Sequence, residues 1–283
     1  MGNYYIKRFL SMVVTLFLIV TITFFLMRAI PGGPFTREKP LPAEIIARLE
    51  AKYNLDAPLS EQYFDYMKGL LTFDLGPSYR ILGMSVNEMI SNGFPTSAKI
   101  GGLACVLIII VGLPIGIISA LKANSMIDYS VMILATLGVT LPSFVIATGF
   151  IYIFAIQLDW VDATGLASPS SYIGPVIALS GYSVSFVARL SRSSELEVLQ
   201  QDYIRTARAN GISEFKVIMK HGLKNSLIPV VTYVGPMIAS ILVGSFVVET
   251  MFNLPGIGTY FVAAVQNRDY TVIIGMTVFY AMF

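Results

Sequence analysis

Residues 201–225 read QDYIRTARANGISEFKVIMKHGLKN. This polar segment stands between two long apolar runs in a chain that otherwise avoids charge, and the contrast sets the fold. It holds Arg205, Arg208, Lys216, Lys220 and Lys224, together with the only histidine, His221. Its pattern is helical and is broken once, at Gly211. A basic, helix-forming insert between apolar runs predicts an all-α integral membrane protein that grips something on one side of the bilayer.

Composition agrees. Apolar residues make up 55% of the 283-residue chain and charged residues 13%, about half the ~25% usual in soluble domains. Mean hydropathy is +0.72. A net charge of +2 gives no field for nucleic acid, and the basic residues cluster by membrane side instead. The single cysteine, Cys105, lies in an apolar run. It reads as a buried thiol, and it excludes a disulfide framework or a Cys-based metal site.

A helix needs roughly 20 apolar residues to cross ~30 Å of hydrocarbon. Residues 9–30 qualify, preceded by Lys7 and Arg8. Their length exceeds a signal-peptide core of about 7–15 residues, and no small-residue cleavage site follows, so an uncleaved first helix is expected. Further spans are expected at 98–120, 129–157 (long enough to be tilted or partly interfacial), 172–190 and 226–248. A last apolar run starts near Tyr270 and stops at Phe283, too short to cross: either it is the start of a sixth helix or it only enters the membrane, and the former is expected because a terminus in hydrocarbon leaves its carbonyls without partners. Lys7, Arg8, Lys122 and the loop from Arg189 to Lys224 share one side. The positive-inside rule therefore predicts a cytoplasmic N-terminus.

The expected organisation is a tail and first helix over 1–30, an outward helical subdomain over 31–97, and a core over 98–283. That core carries a cytoplasmic loop at 191–225 and an outward loop at 249–269. Within the subdomain, Pro42 opens a helix through Tyr53, and Pro58 opens a second through about Leu71. The second places Tyr63, Tyr66, Met67 and Leu70 on one face. The subdomain serves as a cap over the spans, as a docking surface, or as both. Small residues such as the run ALSGYSVS at 178–185 let helices approach closely.

Several chemistries are missing. There is no G-x-x-x-x-G-K-[ST] loop for ATP phosphates and no H-E-x-x-H. One histidine and one cysteine build no zinc site. His221 sits in the basic segment, where it reads as a surface or interface residue and leaves any Ser/His dyad without support. Lys99, Lys122 and Asp128 are expected at helix ends, Arg28 as a snorkelling interface residue and Glu249 as a local cap or pair. No carboxylate relay of the kind used by ion-coupled pumps is visible. Energy for any active transport must therefore enter from outside the bilayer.

In the opening segment, Asp202 to Asn210 has helical composition. Ile204 and Ala207 fall on one side of that helix, Arg205 and Arg208 on another. Gly211 suits the positive-φ bend that ends it, and Ser213 is expected to cap a second helix through about Leu223.

Here the chain resembles the membrane-spanning subunits of bacterial ABC importers. Aligned on Gly211, the general cytoplasmic signature of Glu-Ala-Ala, then glycine, then Ile-x-Leu-Pro matches only at Ala207, Gly211 and Leu223. The oligopeptide/dipeptide branch writes this region as R-T-A-R-A-x-G, with a later H-x-L-x-N-x-L-I-P. This chain reads Arg205-Thr206-Ala207-Arg208-Ala209-Asn210-Gly211, then His221-Gly222-Leu223-Lys224-Asn225-Ser226-Leu227-Ile228-Pro229. Tyr53-Asn54-Leu55-Asp56, Asp74-Leu75-Gly76-Pro77-Ser78, Glu249-Thr250, Leu254-Pro255-Gly256-Ile257-Gly258 and Asn267-Arg268-Asp269-Tyr270 also resemble that branch. The likeness spans nearly the whole chain and is strongest to the first permease subunit of an oligopeptide importer.

The resemblance implies a six-span type I ABC importer permease fold in a bacterial inner membrane, non-catalytic and without a bound cofactor. It implies a second permease subunit, two cytoplasmic ATPase subunits carrying ATP and magnesium, and an extracytoplasmic peptide-binding protein. It further implies that Asp202, Tyr203, Arg205, Thr206, Ala207, Arg208, Gly211, His221 and Leu223 form the ATPase-coupling loop. Leu254, Pro255 and Gly256 would then face the binding protein. Dipeptides, glutathione or nickel remain alternative cargoes on the same architecture. An energy-independent channel or ion-coupled carrier is the alternative of a different class.

Overall fold

The structure is a computed structural model that describes residues 2–31, 33–35 and 42–283. Of the segment 31–97, expected to form an outward subdomain, Gly32 and residues 36–41 lie outside the described residues, as does Met1 at the chain start. Among the described residues the fold is all-α, with no strand beyond an isolated bridge between Pro77 and Ser85.

α1 (Gly2–Ala29) begins before Phe9, because Lys7 and Arg8 are good helix formers and no breaker precedes them. α2 (Ala43–Lys52) and α3 (Leu59–Leu71) each start directly after the expected proline, Pro42 or Pro58. α4 (Val86–Leu107) runs through a π-helical turn, Ile108–Gly112, into α5 (Leu113–Leu121), giving an unbroken 36-residue helix. It starts earlier than residue 98. The cause is a reciprocal cap in which Ser85 N–H donates to Glu88 Oε2 at 2.8 Å and Glu88 N–H to Ser85 Oγ at 3.2 Å. Lys99 therefore lies inside a helix rather than at its end, with Nζ donating to the Tyr172 hydroxyl at 2.9 Å.

The expected single span 129–157 is two helices. α6 (Met126–Thr140) and α7 (Ser143–Phe150), the latter prolonged by the π-helical Ile151–Gln157, meet at 104°. Pro142 forces its predecessor out of the helical region, and Leu141 takes ψ 121°. α8 (Ile173–Leu199) continues past the expected end at Leu190. α9 (Asp202–Ala209) and the single turn α10 (Glu214–Lys216) follow. The π-helical Val217–Gly222 then leads into α11 (Leu223–Leu242). α12 (Phe246–Met251), α13 (Ile257–Asn267) and α14 (Tyr270–Met282) complete the described chain. Among the described residues, four helices are long and apolar enough to cross a membrane, five if the bent pair counts as one span, while α14 is shorter.

The chain forms two compact units, one from residues up to Pro95 with Pro255–Phe283, the other Thr96–Leu254. In the first, Tyr63, Tyr66, Met67 and Leu70 of α3 pack against buried Val20, Phe24, Ile274 and Val278, as the face of α3 predicted. Asp269 anchors the turn before α4 by accepting from Ser78 Oγ and from the Tyr79 and Arg80 N–H groups. Only 11% of the apolar window of α1 is buried within the described chain.

In the second unit, Ile100, Ile108, Phe150, Val187, Val230, Met237, Ile241 and Phe252 share one core. α5 and α8 approach so closely that a Cβ on Gly116 would sit 2.3 Å from the Ala188 carbonyl oxygen.

Candidate functional site

The candidate site is the element α9–Gly211–α10, inside the segment 201–225. Asp202 in the first turn and Arg208 in the last suit the helix dipole. One face is fixed: Ile204 and Ala207 are buried against Val217, flanked by Val198, Leu199 and Ile212. Asp202, Tyr203, Arg205, Thr206 and Arg208 lie on the exposed surface. The small side chain of Ala207 thus serves packing within this element.

Gly211 has φ +74°, the left-handed region that glycine enters at no steric cost. The bend closes through Gly211 N–H to Arg208 O at 3.0 Å and Ile212 N–H to Ala207 O at 3.3 Å. Arg208 then clamps across it, with Nη2 to Glu214 Oε1 at 2.6 Å and Nε to Oε2 at 3.1 Å. That hydrogen-bonded carboxylate raises the Arg208 pKa. The Arg205–Asp202 contact is long, 3.4 Å, and highly exposed, so it contributes little.

Two expectations change. Ser213 has N-cap backbone geometry, yet its side chain makes no cap bond. The second helix also does not end near Leu223. It passes through a π turn into α11, because nothing between Glu214 and Leu223 leaves the helical region. His221, half-buried, lies in that turn, and half-buried Leu223 follows it. The bend is tied to α11 by Asn225 Nδ2, which donates to the Tyr203 hydroxyl at 2.8 Å.

α8, which precedes this element, carries polar pairs that the sequence did not disclose. Arg192 of α8 forms a bidentate pair with Asp128, at 2.6 and 2.7 Å. Asp128 also accepts from Ser119 Oγ and the Asn124 N–H. Glu195, fully buried, accepts from Ser226 Oγ of α11 at 2.5 Å. Arg192 and Glu195 sit in a stretch whose polarity reads as loop. The one available signal was the i, i+3 spacing of Arg192 and Glu195 on a continuing helix.

On the other candidate surface, Leu254 and Gly256 are buried and only Pro255 is exposed. Leu254 is 1% exposed, in the core of the second unit, so its side chain is not presented to a partner. Glu249 is likewise buried. Among the described residues no group of three or more His, Cys, Asp or Glu side chains is placed to hold a metal ion.

Residues 112–283 match the family described as binding-protein-dependent transport system inner membrane component, and residues 1–100 match its N-terminal membrane component. The chain is 48% identical over 282 residues to the dipeptide transport system permease protein DppB of Bacillus subtilis, covering 100% of this chain and 92% of that protein. It is 44% identical over 280 residues to the oligopeptide transport system permease protein OppB of Escherichia coli K12, covering 98% and 92%. A solved structure of the MetNI methionine ABC transporter, in inward-facing conformations, shares the fold. Its TM-score is 0.55 at 15% identity, over 69% of this chain and 92% of that one.

Proposed function

Since this chain belongs to the family of binding-protein-dependent transport system inner membrane components, we propose that it is the translocation subunit of an ATP-driven peptide importer. As a permease subunit it is a multi-pass inner-membrane protein and not the catalyst. ATP and magnesium are assigned to two cytoplasmic ATPase subunits. A second permease subunit completes the path, and an extracytoplasmic binding protein delivers cargo. The N-terminus lies in the cytoplasm, so α9 and its bend face the ATPases.

The observation that carries this reading is the two-faced α9. Its inner face is locked by Ile204 and Ala207, and its outer face presents Arg205, Thr206 and Arg208 beside a glycine bend. A helix held in that way moves as a unit with the spans it is tied to. ATP-driven closure of the ATPases would push it and rock the spans between inward-open and outward-open states. Asp202, Tyr203 and Gly211 complete this coupling surface, with His221 and Leu223 supporting it from the root of α11. On the outward side, Pro255 is the exposed contact.

The relatives named for oligopeptide and dipeptide transport support a peptide cargo, and we favour oligopeptides. The test is purification with associated chains, followed by ATPase assays with binding protein and peptides of graded length. Stimulation rising with length beyond dipeptides is expected. Stimulation by dipeptides alone would reassign the cargo, and none with any peptide would overturn the reading.

A further inference from the structure

In the first unit, a cavity of about 320 Å³ is lined by Arg28, Lys52, Tyr66, Tyr79 and Thr271. Arg28 was expected to snorkel, but its guanidinium is held in the wall. Nε donates to Gln62 Oε1 at 3.0 Å, and Cζ lies 3.6 Å over the Phe24 ring. Gln62 is itself oriented by hydrogen bonds that its Nε2 donates to the Leu55 and Ala57 carbonyls at 3.0 and 2.8 Å. Among the described residues, Arg28 Nη1 and the Tyr66 hydroxyl are buried without hydrogen-bond partners. Among the described residues no carboxylate forms an ion pair with Arg28. Asp65, also on the wall, accepts from Asn54 Nδ2 at 3.1 Å.

A charged group partly withdrawn from water with no counter-charge beside it is costly, which makes such a place a receptor for the opposite charge. The planar guanidinium fork matches a carboxylate. Burial pushes the Tyr66 and Tyr79 phenols above their ordinary value, so both keep their protons and can donate. Lys52 adds a second positive charge at the rim.

We propose that this cavity is a carboxylate-binding site anchored by Arg28, and that its occupant is an acidic side chain of the extracytoplasmic binding protein. The second part rests on the transport function proposed above. A protein side chain is favoured over a lipid headgroup because, apart from Arg28 of α1 and Thr271 of α14, the walls come from the polar segment around α2 and α3 (Lys52 to Leu55, Gln62 to Tyr66) and the Gly76 to Tyr79 turn.

The test uses the whole transporter in nanodiscs. Acetate, but not acetamide, should raise the melting temperature of the wild type and leave Arg28→Gln unmoved; an equal effect on both would overturn the site. In phosphatidylcholine discs, Arg28→Gln should weaken binding-protein affinity about tenfold. Arg28→Lys should recover part of that, and the exposed-rim Lys52→Gln, which does not threaten folding, should lose about twofold. If the acetate response holds but affinity is unchanged in these variants, the assignment to the binding protein fails. If the variants respond instead to added anionic lipid, the occupant is a headgroup and the proposal is overturned. A wild type that binds no binding protein at all refutes the transport function, while the acetate comparison still decides the site.

Discussion

Asn225 Nδ2 donates to the Tyr203 hydroxyl at 2.8 Å, joining α9 to the first turn of α11 across the Gly211 bend. With Arg208 and Glu214 paired on the other side of that bend, α9 is fastened at two points to the helix that follows it. In the proposed coupling role, this fastening would pass displacement of α9 to α11 instead of losing it in a loose connection. Tyr203→Phe and Asn225→Leu should each lower peptide uptake per ATP hydrolysed. The double variant should be no worse than either alone, with a coupling of about 0.5–1.5 kcal/mol in a double-mutant cycle. Additive losses would separate the two residues.

The ion pair of Asp128 and Arg192 fastens α6 to α8. Asp128 is 1% exposed at its side chain and Arg192 24%. Removing one partner strands the other, so Asp128→Ala should cost about 3–5 kcal/mol. A large fall in melting temperature is expected, with Asp128→Asn losing less because it keeps hydrogen bonds to Ser119 and Arg192.

Gly116→Ala places a methyl against the Ala188 carbonyl oxygen, a backbone atom that has no rotamer to escape into. Overpacking of this kind costs about 1–3 kcal/mol. The variant should melt measurably lower than the control Gly149→Ala, whose added Cβ meets nothing within 4 Å.

The bend between α6 and α7 depends on Pro142. Pro142→Ala restores the missing N–H and frees Leu141 to become helical. Spin labels at Met126 and Ile156, both exposed, should then move apart as the pair straightens from its 104° bend. An unchanged distance would assign the bend to packing alone.

Much of the fold was legible because it rests on local signals. Apolar runs mark the spans, Pro42 and Pro58 mark the starts of α2 and α3, and Gly211 marks the end of α9. What was missed rests on tertiary pairing. Residues 191–199 look like loop because they are polar, yet Arg192 meets Asp128 and Glu195 meets Ser226. Once partnered, such groups no longer oppose a helix. The early start of α4 has a readable cue in Ser85 and Glu88, which lies outside the apolar run that marks the span. The π turns at Ile108–Gly112 and Val217–Gly222 have no composition of their own. At the candidate site, the two faces of α9 were visible from spacing, whereas the Tyr203–Asn225 bond spans too many residues for periodicity to reveal.

The claim that α9 and its bend transmit the power stroke is tested most directly by Gly211→Leu. A Cβ there meets nothing within 4 Å, so the change acts through the left-handed backbone alone, at a cost of about 1–3 kcal/mol. ATP hydrolysis and peptide uptake should be measured on the same proteoliposomes, with Gly211→Asn, which tolerates positive φ, as the matched control. Hydrolysis that persists while uptake falls about tenfold or more, with the asparagine variant near wild type, is the predicted result. Normal uptake by Gly211→Leu would contradict the account.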